Sequence, residues 1–207
     1  VEHLQSQASK AYPNLGENPH YTSIISNQHF SRLNQMTEEA REKGAEVITI
    51  NPAGEDFPME NRKIPPTLIL LPDPSLKVMQ EEIFGPILPV LSYEKLEDAI
   101  DFVKQREHPL GLYIFTESSQ EREKVLRETV SGGVSVNEVL YQFVCETLPF
   151  GGVGASGMGA YHGQAGFDTF SHLKPIFIQP RLNFDFFLMP PVTPLKRLIA
   201  RIFRKLV

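Results

Sequence analysis

A glycine-rich stretch, LPFGGVGASGMGAYHG at residues 148–163, contains six of the fourteen glycines in the chain. Three of them form the pattern G-x-G-x-x-G, which begins at Gly152 and is typical of turns that bind dinucleotide phosphates. In that fingerprint a strand enters the turn and a helix leaves it. Here the nearest predicted strand, 133–137, ends well before these glycines, and the glycines that follow disfavour a helix by about 1 kcal/mol each. The stretch is therefore predicted to be a backbone turn without a phosphate-binding helix.

A second stretch, QEEIFGP at residues 80–86, places two carboxylates, a phenyl ring and a Gly-Pro turn close together. The carboxylate of Glu82 can accept hydrogen bonds from both hydroxyls of a ribose, and the ring of Phe84 can lie against a flat heterocycle. These two residues are therefore predicted to hold a nicotinamide riboside. The alternative, which composition alone favours, is that Glu81 and Glu82 are solvated and Phe84 belongs to the core.

The chain has one cysteine, Cys145, which cannot form an internal disulfide and is typical of a reducing compartment. Its surroundings, YQFVCETLPF, contain no histidine placed to activate a thiolate. A free cysteine usually behaves as a small buried hydrophobe. Cys145 is therefore predicted not to be a nucleophile, and no metal site is predicted either.

Composition limits the classes of function. The 207 residues are 41% hydrophobic and 22% charged, an ordinary globular composition with room for one or two domains. A net charge of -5 and a pI near 5.7 argue against nucleic-acid binding, because phosphate contacts need a basic face. No apolar run approaches the roughly 20 residues that span a bilayer and no signal peptide opens the chain, so a cytoplasmic protein is predicted. The lack of an initiator methionine indicates a piece of a longer chain.

Helix and strand patterns alternate along much of the chain. Apolar residues at helical spacing predict a helix over 28–43, capped by Ser26 or Asn27, and a capping box at Ser118 begins a helix that ends near Thr129. The predicted strands are 45–50, 67–71, 87–93, 110–116 and 133–137. This alternation predicts an α/β domain with a mainly parallel open sheet and flanking helices.

Parallel α/β sheets place ligand-binding groups on the loops beyond the carboxyl ends of their strands. The two candidate stretches follow the predicted strands that end near residues 71 and 137. We therefore expect both stretches at that edge of the sheet.

The last residues differ from the rest of the chain. From Leu195 to Val207, apolar residues recur at i, i+3, i+4, i+7 and i+8, and lysines and arginines without any acid occupy the opposite face. Thr193 and Pro194 are suited to begin a helix. A basic amphipathic helix over 194–207 is therefore predicted. Its apolar face docks on the parent protein or a sister subunit, or else the helix lies on an anionic membrane surface.

Three stretches, EEIFGP, GGVSVNE and LPFGGVGASGMGAYHGQAGFDTFSHLKP, occur in an order and at separations that resemble the C-terminal half of an NAD(P)-dependent aldehyde dehydrogenase. Within that superfamily, SGMGAYHG and the F-x-TFSH-x-KP after it are similar to the class 3 and coniferyl aldehyde dehydrogenase branch. The resemblance implies a partial catalytic domain over 1–170, a strand and linker of the oligomerisation type over 171–193, and the helical tail over 194–207.

The family's reaction is attack of a thiolate on an aldehyde, hydride transfer from the thiohemiacetal to the cofactor, and hydrolysis of the thioester. The resemblance implies that Glu82 binds the nicotinamide ribose of NAD or NADP and that Phe84 flanks the nicotinamide. The family's nucleophile lies in a G-Q-x-C stretch and its base in an E-L-G-G-K stretch. Neither stretch occurs here, so no catalytic residue is expected in this chain and the chain alone is expected to be inactive.

The resemblance also implies residues on the substrate side. Phe150 would line the channel of a small aldehyde, either coniferyl aldehyde or another aromatic or aliphatic one, and Asn137 would shape the floor of the site. Tyr161 and His162 match a pair near the same funnel, for which a packed structural pair is at least as good an interpretation.

Two broader functions remain open from the sequence. In the first, a longer parent enzyme forms homo-oligomers and oxidises an aldehyde to a carboxylic acid. In the second, the chain is a truncated, non-catalytic homologue that binds a partner or a membrane surface through residues 194–207.

Overall fold

The computed structural model describes residues 1–181 and 189–204, and the chain divides into two compact units, Val1–Phe102 and Val103–Val207. The helices are α1 (Glu2–Ala11), α2 (Asn27–Glu42), α3 (Lys77–Gln80), α4 (Leu96–Lys104), α5 (Ser119–Glu128), α6 (Tyr141–Val144), α7 (Gly163–Thr169) and α8 (Pro194–Phe203). The strands are β1 (Glu46–Thr49), β2 (Thr67–Leu70), β3 (Ile87–Val90), β4 (Gly111–Ile114) and β5 (Gly133–Val136). The division into segments 1–170, 171–193 and 194–207 stays a prediction.

Helix α2 supplies one wall of the core of the first unit. It begins as predicted at Ser26, whose hydroxyl accepts a 3.1 Å hydrogen bond from the backbone N–H of His29. It ends just before Gly44, which has a φ of +85°. Its buried residues are the four apolar positions that helical spacing singled out, Phe30, Leu33, Met36 and Ala40.

The first unit contains a three-stranded sheet in the order β1-β2-β3. Strands β2 and β3 are parallel, as predicted, whereas β1 runs antiparallel to β2. The antiparallel pairing follows from the connection after β1, which turns the chain back so that the backbone N–H of Ile50 donates to the carbonyl of Pro66. In the central strand β2, Thr67, Leu68 and Ile69 are all buried.

The second unit contains the parallel pair β4 and β5, which α5 connects as a βαβ unit. The predicted cap of α5 forms, because the hydroxyl of Ser118 accepts from the backbone N–H of Glu121. The return half of the capping box runs through Thr116 instead. Its hydroxyl accepts from the backbone N–H of Ser118 and donates to the carboxylate of Glu121 at 2.6 Å. Across the described residues, two of the three strand pairings are parallel, which confirms the α/β fold with flanking helices.

The apolar segment that follows α7 is exposed and unpaired. Residues 171–181 form no strand, and Ile176, Phe177 and Ile178 are each more than 70% exposed. The physical reason is that a strand forms by pairing, and the described residues provide this segment with no partner strand. Its pairing as a strand of the oligomerisation type stays a prediction.

Helix α8 begins as predicted at Thr193, whose hydroxyl accepts from the backbone N–H of Lys196. Lys196 does not belong to the exposed basic face, because its side chain is buried and its ammonium donates a 2.7 Å bond to the carbonyl of Met189. Among residues 1–181 and 189–204, none of the helices combines the length and apolar character that a bilayer crossing requires. The last predicted residues of this helix, 205–207, and the linker residues 182–188 lie outside the described part.

Candidate cofactor loop and aromatic cluster

The QEEIFGP stretch connects α3 to β3. Its last residue lies at the amino end of the sheet, because the carbonyl of Pro86 accepts a 2.9 Å hydrogen bond from the N–H of Thr67, the first residue of β2. The expectation that this stretch lies at the carboxyl ends of the strands is therefore wrong. Since β2 and β3 are parallel, their connection must return the chain to the amino end before β3 begins, and the stretch occupies the end of that return.

This loop presents an acid and a ring to solvent. The side chain of Phe84 is 76% exposed, so it is not the core residue that composition favoured. The carboxylate of Glu82 is exposed and makes no hydrogen bond or ion pair with any residue that the structure describes. Phe84 also has a positive φ of +51°, which is uncommon for a residue with a side chain. Both groups are therefore available to a ligand.

Two side chains of α2 contact the backbone of this loop. The guanidinium of Arg32 donates a 2.7 Å hydrogen bond to the carbonyl of Ile83 and lies 3.3 Å from the carboxylate of Glu81. Nε2 of His29 lies 2.8 Å from the carbonyl oxygen of Phe84, and the two rings meet edge to face with centroids 6.3 Å apart. Sequence reasoning missed both residues, because their contacts with the two carbonyls cross more than fifty positions of the chain.

A pocket of about 360 Å³ adjoins the ring of Phe84. Its lining includes apolar side chains from the segment before α2, Ile24 and Ile25, together with His29 and Pro86. This volume is in the range of small-molecule sites, and the lining combines apolar side chains with the imidazole and the hydroxyl-bearing residues Tyr21, Thr22 and Ser23. A flat ring that lies against Phe84 would therefore meet further apolar surface.

In the second unit, the glycine-rich stretch is a turn closed on itself. Phe150 and Tyr161 form an isolated antiparallel bridge, with N–H to carbonyl distances of 2.8 and 2.9 Å. Within the bridge the backbone approaches itself so closely that a Cβ at Gly152 would overlap the carbonyl of Ser156. The glycines therefore serve close backbone packing, and no strand runs into Gly152, which agrees with the predicted turn.

A short helix begins at the last glycine of the stretch, after the end of the G-x-G-x-x-G pattern at Gly157, so the predicted absence of a phosphate-binding helix is not contradicted. Helix α7 starts at Gly163 and contains Gly166, where a Cβ would lie 3.3 Å from Cα of Tyr161. Tertiary packing of the helix against the bridge therefore overrides the low helix propensity of glycine. The turn itself lies near the amino end of β5, since a Cβ at Gly132 would lie 3.1 Å from Cα of Gly152. This again differs from the expected carboxyl edge.

The closing bridge brings together a cluster of aromatic rings. Phe150 meets Tyr161 edge to face at 5.4 Å and stacks on His162 at 6.0 Å. Phe143, on α6, also meets Phe150 edge to face at 5.0 Å and was not singled out from the sequence. His162 has a φ of +79°, and its buried Nδ1 has no hydrogen-bond partner in the part of the chain that the structure describes. The predicted substrate residues Phe150, Tyr161 and His162 therefore lie together.

Asn137 makes its side-chain hydrogen bonds with Thr116 and not with the aromatic cluster. It follows β5 directly, at the carboxyl end, with a φ of +56°. Its side-chain oxygen accepts from the N–H of Thr116 at 2.9 Å, and its side-chain nitrogen donates to the carbonyl of the same residue at 3.0 Å. The amide thus braces the ends of β4 and β5 against each other. Its role in the floor of a site stays a prediction.

A buried polar chain, which the sequence did not reveal, holds α6 on β4 and β5. The side chain of Gln142 accepts from the hydroxyl of Ser135 at 2.5 Å and donates to the hydroxyl of Tyr113 at 3.1 Å. Gln142 and Ser135 are 7% and 5% exposed. Because a buried amide is costly without partners, this chain fixes α6 and with it the ring of Phe143.

Cys145 is exposed, which corrects the expectation of a buried hydrophobe. Its Sγ lies 3.2 Å from the hydroxyl of Thr147, and hydrogen bonds from Thr147 lower the pKa of the thiol. No histidine contacts it in the described structure, and its exclusion as the nucleophile stays a prediction. The described residues contain no group of three or more His, Cys, Asp or Glu side chains that could hold a metal ion.

Comparison with known proteins matches this chain to the aldehyde dehydrogenases. The sequence pattern of the aldehyde dehydrogenase family matches residues 1–176. A probable coniferyl aldehyde dehydrogenase of Caulobacter vibrioides is 50% identical over 180 residues, which are 86% of this chain and 37% of that protein. Aldehyde dehydrogenase family 3 member A2 of Rattus norvegicus is 46% identical over 166 residues, or 80% of this chain and 32% of the rat protein.

Solved structures give the same result. Staphylococcus aureus AldH, described as a substrate-bound state, has a TM-score of 0.78 and 38% identity, covering 97% of this chain and 42% of its own. An aldehyde dehydrogenase of Mycobacterium tuberculosis complexed with NAD+ has a TM-score of 0.67 and 25% identity, covering 78% of this chain and 32% of its own. The chain thus spans less than half the length of each of these relatives. It belongs to the aldehyde dehydrogenase family.

Proposed function

We propose that this chain forms the C-terminal part of an NAD(P)-dependent aldehyde dehydrogenase that oxidises an aldehyde to the carboxylic acid. The observation that carries the proposal is the loop of the first unit, where the carboxylate of Glu82 and the ring of Phe84 are exposed together. Residues held in strained backbone conformations cluster at ligand-binding sites, and the positive φ of Phe84 therefore supports a binding role. The relatives named for this activity support the assignment.

On the cofactor side, the carboxylate of Glu82 would accept hydrogen bonds from the two ribose hydroxyls next to the nicotinamide. The ring of Phe84 would lie against the nicotinamide and limit its rotation. The cofactor, when bound, accepts a hydride from the substrate. NAD and NADP share the nicotinamide riboside, so these two residues serve either cofactor.

On the substrate side, the cluster of Phe143, Phe150 and Tyr161 would contact an aromatic aldehyde through edge-to-face and stacking contacts. The names of the bacterial relatives point to coniferyl aldehyde as the first compound to test. The overall reaction takes one aldehyde, one oxidised cofactor and one water to the carboxylic acid, the reduced cofactor and a proton. The polar Nδ1 of His162 would meet a polar group of the substrate or of the remaining protein.

The 207 residues alone would be inactive, because they contain neither a G-Q-x-C nor an E-L-G-G-K stretch. The nucleophilic thiolate and the base that activates water would come from a preceding part of a longer protein. In that protein the exposed apolar segment 176–178 would pair with a second copy, which buries three large side chains. The parent enzyme would thus be a homo-oligomer.

The proposal is tested in the full-length protein that contains this chain, by titrating NADH binding through its fluorescence. Glu82→Gln removes the charge from two hydrogen bonds, so the dissociation constant should rise about 10- to 100-fold. Glu94→Gln is the matched control, because Glu94 is an exposed glutamate of the same unit with no partner among the described residues. Equal affinities of the two variants would show that the assignment of Glu82 is wrong.

A second function is favoured by the tail. Leu195, Leu198 and Ile202 are 63%, 55% and 52% exposed on α8, so this face docks on nothing that the structure describes. Arg197, Arg201 and Arg204 are exposed on the opposite face. An exposed apolar stripe opposite cationic residues is typical of helices that lie on anionic membranes.

Liposome flotation separates membrane contact from docking on protein. The chain should float with vesicles that contain phosphatidylserine and should remain below with purely zwitterionic vesicles. A variant without residues 194–207 should not float in either case. Equal flotation of the two chains would exclude the membrane role and leave docking on the parent protein or a sister subunit.

A further inference from the structure

We propose that Arg32 and His29 are positioning residues for cofactor binding, which hold the backbone on both sides of Phe84 so that its ring and Glu82 are presented together. This inference rests on the proposed function of the loop. In this scheme neither residue of the pair bonds to the cofactor, although His29 also lines the pocket beside Phe84. Each acts through a carbonyl oxygen of the loop.

The need for such a restraint follows from the conformation of Phe84. With a φ of +51°, the residue is in the left-handed region, where its Cβ crowds the following carbonyl oxygen. A residue keeps such a conformation only where surrounding contacts hold it there. The ring is 76% exposed, so packing of the ring is not that contact. The restraint must act on the backbone.

Arg32 restrains the peptide plane that precedes Phe84. Its Nη2 donates a 2.7 Å hydrogen bond to the carbonyl of Ile83, and this carbonyl belongs to the peptide that turns when φ of Phe84 changes. The ion pair with Glu81 is longer, at 3.3 Å, between partly exposed side chains, and such surface pairs contribute little. The bond to the carbonyl is therefore the contact of Arg32 that holds φ.

His29 restrains the peptide plane that follows Phe84. Nε and Nη2 of Arg32 lie 3.4 and 3.3 Å from Nδ1 of His29, and a guanidinium can only donate, so Nδ1 is the acceptor. Nε2 then carries the proton and donates it in the 2.8 Å hydrogen bond to the carbonyl of Phe84. Because both neighbouring peptide planes are held, φ and ψ of Phe84 are both fixed.

The same face of α2 also supports the loop by close packing. A Cβ at Gly85 would lie 2.5 Å from Cδ1 of Leu33, which is fully buried. His29, Arg32 and Leu33 are spaced by three and four residues and therefore share one helix face. The loop thus rests on one helical turn that both supports it and bonds to its carbonyls.

The test uses variants of the full-length protein that contains this chain. Arg32→Met keeps the aliphatic stem but removes the guanidinium, and His29→Leu removes the donor to Phe84. Arg41→Met is the matched control, since Arg41 lies on the same helix and its partner among the described residues is Glu38 at the surface. The readouts are the NADH dissociation constant by fluorescence, kcat at saturating cofactor, and the thermal midpoint.

The expected result is that Arg32→Met and His29→Leu each weaken NADH binding about tenfold, the factor that corresponds to about 1.4 kcal/mol. Arg41→Met should bind like the wild type, and kcat at saturating cofactor should stay within about twofold in all three, because binding energy can still order the loop. His29→Gln retains an amide donor and should recover most of the affinity lost in His29→Leu. This rescue would not be expected of a merely structural role.

Wild-type affinity in both Arg32→Met and His29→Leu, together with weakened binding in Glu82→Gln, would overturn the positioning role and leave the proposed function standing. Wild-type affinity in Arg32→Met, His29→Leu and Glu82→Gln would overturn both the positioning role and the proposed role of Glu82. If Arg32→Met does not fold, Arg32→Lys carries the test, because lysine keeps the charge but cannot donate to the carbonyl of Ile83 and to His29 in the same geometry. Wild-type affinity in Arg32→Lys would then count against the proposal.

Discussion

The loop that carries Phe84 and the turn that carries Phe150 fix their rings in different ways. In the loop, side chains from a distant helix bond to main-chain carbonyls and hold a strained residue in place. In the turn, the main chain bonds to itself across the bridge to Tyr161, and glycines allow the close approach. The first arrangement depends on side chains outside the loop, and the second depends on residues that lack a side chain.

This difference has a consequence for substitutions. The stabilisation that side-chain hydrogen bonds give to the loop can be reduced one bond at a time, because each hydrogen bond contributes a limited amount. In the turn, where the backbone packs against a carbonyl oxygen, the stability cannot be reduced gradually, because an added methyl group has no space to enter. Substitutions in the two regions should therefore differ in size and in the property that they change.

The largest effect is expected for Gly152→Ala, which would place a methyl group on the carbonyl of Ser156. The bridge between Phe150 and Tyr161 should lose about 3 kcal/mol of local stability. The measurement is hydrogen exchange of the amide of Tyr161, which donates to Phe150 in the bridge. Gly154→Ala is the control, because its Cβ meets nothing closer than 3.7 Å and only the left-handed strain of about 1 kcal/mol applies. Equal acceleration in both variants would contradict the packing argument.

A smaller effect is expected in the first unit for Gly85→Ala, because the colliding atom belongs to a side chain. Its Cβ would lie 2.5 Å from Cδ1 of Leu33, and repacking should cost about 2 kcal/mol. The midpoint of urea denaturation measures this loss. Gly54→Ala, which has a φ of +63° and no neighbour within 4 Å, should lose only about 1 kcal/mol. A larger loss in Gly54→Ala would be the contrary result.

Phe84→Gly should separate stability from binding. Glycine relieves the left-handed strain, so the loop should gain about 1 kcal/mol of stability. Cofactor affinity should fall, because the ring that would lie against the nicotinamide is lost. Phe84→Ala removes the ring but keeps the strain, so it should lose affinity without gaining stability. The urea midpoint and the NADH dissociation constant of both variants check this, and a gain in stability for Phe84→Ala would argue against strain at this residue.

The smallest effect is expected at alkaline pH, through Tyr21. Burial, with a smaller effect of Tyr12, raises the pKa of Tyr21 to about 12, and its hydroxyl donates to the carbonyl of Ile64. An unfolded tyrosine titrates near pH 10. Because the folded-state pKa is the higher one, the stabilisation is complete below about pH 10 and is lost as the pH rises towards 12.

The urea midpoint of the wild type should therefore fall between pH 9 and pH 11 more than that of Tyr21→Phe. The bridge between Phe150 and Tyr161 is formed by backbone hydrogen bonds alone, so deprotonation of Tyr21 should not weaken it. An identical pH dependence of the two proteins would show that Tyr21 does not contribute. The result would extend the comparison, because Tyr21 is another side chain that bonds to a carbonyl of the first unit.

Local patterns in the sequence predicted the elements well. All five strands formed within the predicted ranges, because short apolar runs between turn residues need only a sheet to pair in. Helix α2 and its cap at Ser26 followed from the spacing of its apolar residues and one hydroxyl. These features depend on residues that are near in sequence, so one chain is enough to predict them.

The pairing direction of the strands and the position of the loops could not be predicted in the same way. The antiparallel direction of β1 and the return of the QEEIFGP stretch to the amino end of β3 depend on how connections cross the sheet. Residues 171–181 stay unpaired because the described residues offer them no partner strand, and helix α7 forms at Gly163 because packing outweighs the low helix propensity of glycine. These outcomes are properties of the packed chain.

The sequence by itself determined the family and the candidate residues for the chemistry, which are a glutamate two positions before a phenylalanine and a glycine-rich turn. Only the tertiary structure decided that Phe84 is exposed and left-handed, and that His29 and Arg32 hold the carbonyls beside it. The physical reason is the distance along the chain between the residues that interact. Residue types and spacing follow the chain, whereas a hydrogen bond to a carbonyl more than fifty residues away exists only after the helix and the loop have packed.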